Sequence, residues 1–142
     1  MKDFVLDCSV AMSWCFEDDA NKFTDAILDG FSNGRAFVPS IWTLEVANVI
    51  LVSERYKRIT KAQSLQFVEL LRGLPIVIDE STPDRAMGDI LSLARQHNLS
   101  SYDASYLELA MRKGISLATQ DNILKKAAQK CGVHLKPSKP NE

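Results

Sequence analysis

Two aspartates, Asp103 and Asp121, bracket one predicted helix and one predicted strand in the stretch Ser100 to Asp121. Asp103 falls in the first turn of the helix. Arg112 and Lys113 suit the helix's negative C-terminus, and Gly114 supplies a left-handed cap. Asp121 follows the apolar run Ile115 to Ala118, which reads as a buried strand. An acid just beyond the C-terminal end of such a strand lies where open α/β sheets bind their ligands. Each acid alone has an ordinary structural use. Ser100 to Asp103 fits a capping box, and Asp121 fits the N-cap of a helix starting near Asn122. Chemistry requires that further acids converge on the same place.

Two further acids qualify. Asp7 ends the short apolar run Phe4-Val5-Leu6, read as a central strand. Glu45 and Asn48 are the polar residues between Leu44 and Val52, and their spacing puts them on one helix face. A helix apolar on most sides is expected to be buried, and a buried carboxylate needs a partner or it keeps its proton. Pairing with a distant Lys or Arg is the plain explanation for Glu45. Metal ligation, with Asn48 as a hydrogen-bonding neighbour, is the sharper one. If Asp7, Glu45, Asp103 and Asp121 share one site, their repulsion calls for a cation, and all-oxygen ligation suits Mg²⁺ or Mn²⁺ rather than zinc. Such a site suits phosphodiester hydrolysis, where a divalent ion activates water and stabilises the leaving oxygen. With two histidines in unremarkable contexts and no glycine-rich phosphate loop, no Ser-His-Asp, Cys-His or P-loop arrangement competes.

The elements that must position these acids follow from periodicity. Strands are expected at Phe4–Leu6, Ala36–Val38, Pro75–Ile78, Ile115–Ala118 and Val133–Leu135. A short helix follows Asp7. Phe23, Ala26, Ile27 and Phe31 recur at helical spacing until Asn33-Gly34. Further helices are expected over Ile41 to Arg55, Lys61 to Leu71 with Leu65, Val68 and Leu71 on one face, and Pro83 to His97 burying Met87, Ile90, Leu91 and Ala94. A last helix covers Asn122 to Lys130. Strands alternating with helices imply an α/β sandwich with a mostly parallel sheet, whose strand C-termini share one edge. The acidic run Glu17 to Asp19 reads as a solvated loop. The basic run Arg55, Lys57, Arg58 and Lys61 fits a loop between helices or a phosphate-contacting patch.

The 142 residues suit one domain, taken as 1–136 with a frayed tail over 137–142. Apolar content of 46% and charged content of 25% are those of a soluble globular protein, and no apolar run can span a bilayer. A net charge of -1 means that any contact with nucleic acid rests on a local patch. The N-terminus lacks the pattern of a secretory signal. Cys8, Cys15 and Cys131 are odd in number, without a Cys-x-x-Cys spacing, which favours a reducing cytoplasm over a disulfide framework or a zinc site.

The four acidic stretches, strand-Asp7-Cys8-Ser9, Leu44-Glu45-Val46-Ala47-Asn48, Ser101-Tyr102-Asp103-Ala104 and Leu117-Ala118-Thr119-Gln120-Asp121, together resemble the motifs of PIN-domain ribonucleases over about the whole chain. The compact form is most similar to VapC-type toxins of bacterial toxin–antitoxin pairs. The resemblance implies a three-layer α/β/α sandwich with a five-stranded parallel sheet of order 3-2-1-4-5. It implies Mg²⁺-dependent cleavage of RNA, transfer or ribosomal RNA being expected, at Asp7, Glu45, Asp103 and Asp121, with Ser9 and Thr119 as polar neighbours. It also implies a homodimer and a small inhibitory antitoxin, which would send a basic residue to the acids along an apolar groove lined by Trp14, Trp42 and Val46. A receiver-like phosphotransfer module wants a second acid beside Asp7, where Cys8 stands, and an Asp-x-Asp phosphatase wants one where Ser9 stands. A non-catalytic scaffold on the same fold is the remaining alternative, and a requirement for Mg²⁺ separates it from an enzyme.

Overall fold

The computed structural model of the chain describes residues 3–136. The expected tail over 137–142 lies outside the described residues. Four short strands, β1 (Phe4–Leu6), β2 (Ala36–Pro39), β3 (Ile76–Asp79) and β4 (Ser116–Ala118), form a parallel sheet of order β3-β2-β1-β4. The expected fifth strand is reduced to one parallel bridge, Leu117 to Leu135. The Leu117 amide donates to the His134 carbonyl and the Lys136 amide donates to the Leu117 carbonyl. This keeps the 3-2-1-4-5 order, with the last position contracted to a single residue. Strand β1 is entirely buried, as a strand flanked on both edges and covered on both faces must be.

The helices are α1 (Cys8–Ser13), α2 (Lys22–Asp29), α3 (Trp42–Arg55), α4 (Lys61–Arg72), α5 (Thr82–Arg85), α6 (Leu91–His97), α7 (Ser101–Lys113) and α8 (Asn122–Lys130). Helix α7 is the centre of the packing. Its residues Ala104 to Ala110 are all buried, and it ends at Gly114 in the left-handed conformation, φ 65°. That cap is the one expected from sequence, because a side chain at such a φ is strained. No helix among the described residues is long and apolar enough to cross a membrane.

Three burial expectations are corrected. Helix α3 is not buried on most sides: Leu44 is 67% exposed, and Leu51 and Val52 are also open to solvent. It packs at the sheet's edge through Trp42, Val46 and Ser53, so one narrow stripe is covered and the apolar remainder is not. Helix α4 buries Ser64, Phe67 and Leu71, whereas Leu65 is 68% exposed. The helix expected over Pro83 to His97 is interrupted by a π-helical turn, Ala86–Ile90. A π turn takes extra residues per turn and so rotates one flanking face away from the other. Ile90 and Ala94 stay in the core while Met87 is 88% exposed.

Candidate metal-dependent active site

Sheet register builds the first half of the site. Leu6 of β1 lies opposite Ala118 of β4, so Asp7 and Thr119 leave the sheet side by side at its C-terminal edge. The Asp7 amide donates to the Ala118 carbonyl, and the Thr119 hydroxyl donates to Asp7 Oδ2 at 2.7 Å. Ser9 adds a second hydroxyl to the same oxygen at 3.0 Å. Both polar neighbours expected from sequence therefore hold one carboxylate oxygen of Asp7, which sits buried at the start of α1. Asp121 stands two residues beyond Thr119 and its amide donates to the Thr119 hydroxyl. Its side chain caps α8, with Oδ1 accepting from the amides of Ile123 and Leu124. The capping use of Asp121 is thus real, and it engages one oxygen of the two.

Glu45 projects from the first turn of α3. Its Oε1 accepts a hydrogen bond from the hydroxyl of Tyr106. Asp103 lies in the first turn of α7, where its amide donates to the Ser100 hydroxyl at 3.0 Å. Ser100 is thus the expected N-cap. Asn48 is exposed and makes no side-chain hydrogen bond among the described residues. Trp14 donates its indole N–H to the Thr24 carbonyl and packs on Phe31, away from the cleft beside Trp42. The expectation that it lines that groove is therefore corrected.

The electrostatics couple the four acids. Burial pushes the Asp7 carboxyl above its usual range, and the charge of Asp121 adds to the shift against the opposing hydroxyls of Thr119 and Ser9. Burial also raises Glu45, as do Asp7 and Asp103, while Tyr106 opposes. Burial raises Asp103 with help from Asp7 and Asp121, against Ser100. Even the neighbouring Cys8 thiol is pushed up to about 12 by burial and by Glu45 and Asp7. Four elements thus aim carboxylates at one region. The side chains nevertheless stand apart: among the described residues, no three of His, Cys, Asp or Glu gather closely enough to hold a metal ion. The donor set itself, carboxylate oxygens held in place by hydroxyls and amides, matches a hard divalent cation.

A raised carboxylate pKa means that the folded state binds the proton more tightly than the unfolded chain. The associated stability is full below the ordinary carboxylate range of about 4 and is lost as pH rises through the raised values. Asp79, whose carboxyl is lowered, contributes with the opposite sign. The clean measurement is therefore a difference. In EDTA, the stability advantage of Asp7→Asn over the wild type, read by urea denaturation, grows from pH 5 to pH 7.5. A constant or shrinking advantage contradicts the assignment.

Tyr106 is the site residue that sequence reasoning missed. It is fully buried one turn after Asp103, and Glu45 is the partner its hydroxyl finds. The available signal was a tyrosine in the most apolar part of α7, because a buried phenol needs a hydrogen-bond partner. Tyr106→Phe keeps the ring packing but removes the bond that favours ionised Glu45. If the acids hold Mg²⁺, its affinity by calorimetry falls about tenfold in this variant, the value of one charge-assisted bond of about 1.5 kcal/mol. Unchanged affinity would show that the phenol only fills space.

The PIN domain profile matches residues 4–130. Among curated proteins, sequence comparison finds no match. Solved structures are similar in fold. VapBC2 from Rickettsia felis, bound to a DNA fragment from its promoter, aligns with a TM-score of 0.68 at 14% identity, covering 94% of this chain and 97% of that one. PAE2754 from Pyrobaculum aerophilum gives 0.65 at 20% identity, over 89% of this chain and 79% of the other. FitAcB from Neisseria gonorrhoeae gives 0.62 at 17% identity, over 93% and 95%.

Proposed function

The chain belongs to the PIN domain family, whose members are generally nucleases, and from that premise we propose that it is a Mg²⁺-dependent endoribonuclease serving as the toxin of a toxin–antitoxin pair. The observation that carries the reading is the placement of Asp7, Glu45, Asp103 and Asp121 at the starts of four helices, where burial first and fellow acids second raise the carboxyls of Asp7, Glu45 and Asp103. When bound, a divalent ion supplies Lewis-acid stabilisation of the phosphodiester and activation of water. The chain's own residues do the rest. Thr119 and Ser9 hold Asp7 Oδ2, Tyr106 holds Glu45 Oε1 and the α8 amides hold Asp121 Oδ1, so these three carboxylates are oriented before any ligand arrives. Removing water-exposed freedom from ligands in this way is the usual role of outer hydrogen bonds at a metal site. Mn²⁺ fits the same oxygen set.

The partner follows from the resemblance to VapC-type toxins and from VapBC2 among the similar folds. An apolar cleft of about 800 Å³ runs between α3, α4 and the exposed edge strand β3, lined by Trp42, Val46, Ile50, Leu71 and Ile78 among others. A small antitoxin laying an apolar segment there would reach Glu45 on the same helix. An arginine from it is the apt blocking group, because its planar fork binds carboxylate oxygens in pairs. The exposed Leu51 and Val52 of α3 fit a homodimer. The free thiols of Cys8, Cys15 and Cys131 suit the cytoplasm.

Arg58 takes a structural role in the basic run. It pairs with Asp19 at 3.0 Å and lies over the Phe16 ring at 3.8 Å. The phosphate-contacting reading is left to Arg55, Lys57 and Lys61, all exposed. The test is incubation with total RNA in Mg²⁺ and in EDTA, followed by mapping of new ends. New ends that appear only with the metal support the proposal. Activity indifferent to EDTA, or an interaction with RNA that never cuts, favours the scaffold alternative, for which the separated carboxylates would be the resting geometry.

A further inference from the structure

We propose that the small pocket beside Asp103 and Glu45 is the subsite for one unpaired nucleobase of the strand being cut, with the ring of Tyr102 as its stacking wall. The inference rests on the nuclease reading above and adds to it where the substrate's base sits. The pocket has a volume of about 240 Å³ and lies between the starts of α3 and α7 and the segment Thr82 to Ile90. That is below the roughly 300–1,000 Å³ of sites that take whole drug-sized ligands, and is the scale of a single flat fragment.

Its lining specifies the fragment. No charged side chain borders it, so it suits an uncharged group rather than a phosphate. Ile41, Leu44, Pro83 and Ile90 give apolar walls, and Ser40, Ser101 and Tyr102 bring hydroxyls to them. None of those three hydroxyls makes a hydrogen bond to the protein among the described residues, whereas Thr82 and Ser105 spend theirs on the carbonyls of Asp79 and Tyr102. Apolar walls with free donor–acceptor groups match the faces and edges of a base. Tyr102 is 58% exposed, an aromatic surface left open next to the acid it precedes. Bases splayed out of single strands are read in this manner, by stacking on aromatic rings and by hydrogen bonds along their edges.

Placement ties the pocket to the reaction. Leu44 is the chain neighbour of Glu45 and Tyr102 that of Asp103, so the pocket wall lies one residue step along α3 and α7 from these two acids, and the charge of Asp103 acts on Glu45. A base held there belongs to a nucleotide beside the scissile phosphate. Ala86 and Ile90, at the two ends of the π-helical turn, form part of the wall, and such turns recur at functional sites. The competing occupant is a second copy of this chain, covering Leu44, Met87 and Tyr102, which are all exposed.

The probe is a short single-stranded RNA containing 2-aminopurine, bound in Ca²⁺ and read by anisotropy and by fluorescence quenching. The wild type quenches the probe. Tyr102→Ala weakens binding roughly 5- to 100-fold, as loss of one base–aromatic stack does, and abolishes the quench. Tyr102→Phe keeps both, because the stacking face remains. Tyr102 is largely exposed, so both variants retain the fold, which thermal melts confirm. Wild-type affinity and quench in Tyr102→Ala would overturn the proposal. So would unchanged RNA binding together with loss of self-association in light scattering, which assigns the face to a second copy. Cleavage of total RNA, assayed separately, reports on the nuclease reading: a wild type that quenches the probe but never cuts RNA keeps the subsite and refutes the activity. A wild type that cuts RNA without quenching refutes the subsite alone.

Discussion

Asp7→Asn and Asp103→Asn each reduce RNA cleavage by more than about 100-fold and leave the domain folded. The size follows from where these acids stand. Loss of a partner that merely orients a ligand costs a metal site about 10- to 100-fold. Asp7 is itself the group that Thr119 and Ser9 orient, and Asp103, in the first turn of the central helix, feels its charge. Removing such a group therefore exceeds that range. The fold survives because Asn Oδ1 still accepts from the Thr119 and Ser9 hydroxyls. Stability rises slightly in EDTA, since Asp7 and Asp103 each raise the pKa of neighbouring acids and one crowded charge is gone. Cleavage assays and thermal melts on the same samples measure both effects. Cleavage retained in both variants removes the carboxylate site from consideration.

Arg112→Ala costs about 3 kcal/mol of stability, the largest loss expected from a single polar side chain in this protein. Arg112 ends α7 and lies between two acids of low exposure, Asp79 at the end of edge strand β3 and Glu108 one turn back on α7. Its Nε donates to Glu108 Oε2 at 2.9 Å and its Nη2 donates to Asp79 Oδ2 at 2.5 Å. Burial pushes the Asp79 carboxyl up, but Arg112 and Ser81 outweigh it and hold the group below its usual range. Breaking a buried pair by removing one partner typically costs about 3–5 kcal/mol, because the other charge stays behind unpaired. The lower figure applies here because Arg85 still approaches Glu108 at 3.6 Å. The substitution leaves cleavage per folded molecule unchanged, since Arg112 stands nine residues, about 13 Å of helix, beyond Asp103. Urea denaturation with a parallel cleavage assay tests both halves. A loss below about 1 kcal/mol would show the cluster to be as weak as a surface ion pair.

Much of this protein is a local matter and could be read along the chain. The runs Phe4 to Leu6, Ala36 to Val38 and Ile115 to Ala118 are strands because short apolar segments bounded by turns have few other uses, and alternation with helices makes the sheet parallel. Ser100, Asp121 and Gly114 cap the elements that the sequence placed them on, since capping depends on residues three or four apart. Asp7, Asp103 and Asp121 lie at strand ends and helix starts for the same reason.

What tertiary structure alone decided is which neighbour each surface meets. Leu44, Leu65 and Met87 have the residue types of a core and are exposed, because only one narrow stripe of α3 and of α4 is packed and a π turn rotates Met87 outward. Val133 to Leu135 has strand character, but only Leu135 pairs, since strand pairing is settled by a partner distant in sequence. Tyr106 finds Glu45 across 61 positions, and Arg112 finds Asp79 across 33. Neither pairing has a local signature. A polar group in an apolar stretch announces only that it needs a partner, and the packing of α7 beside α3 and β3 determines which one is within reach.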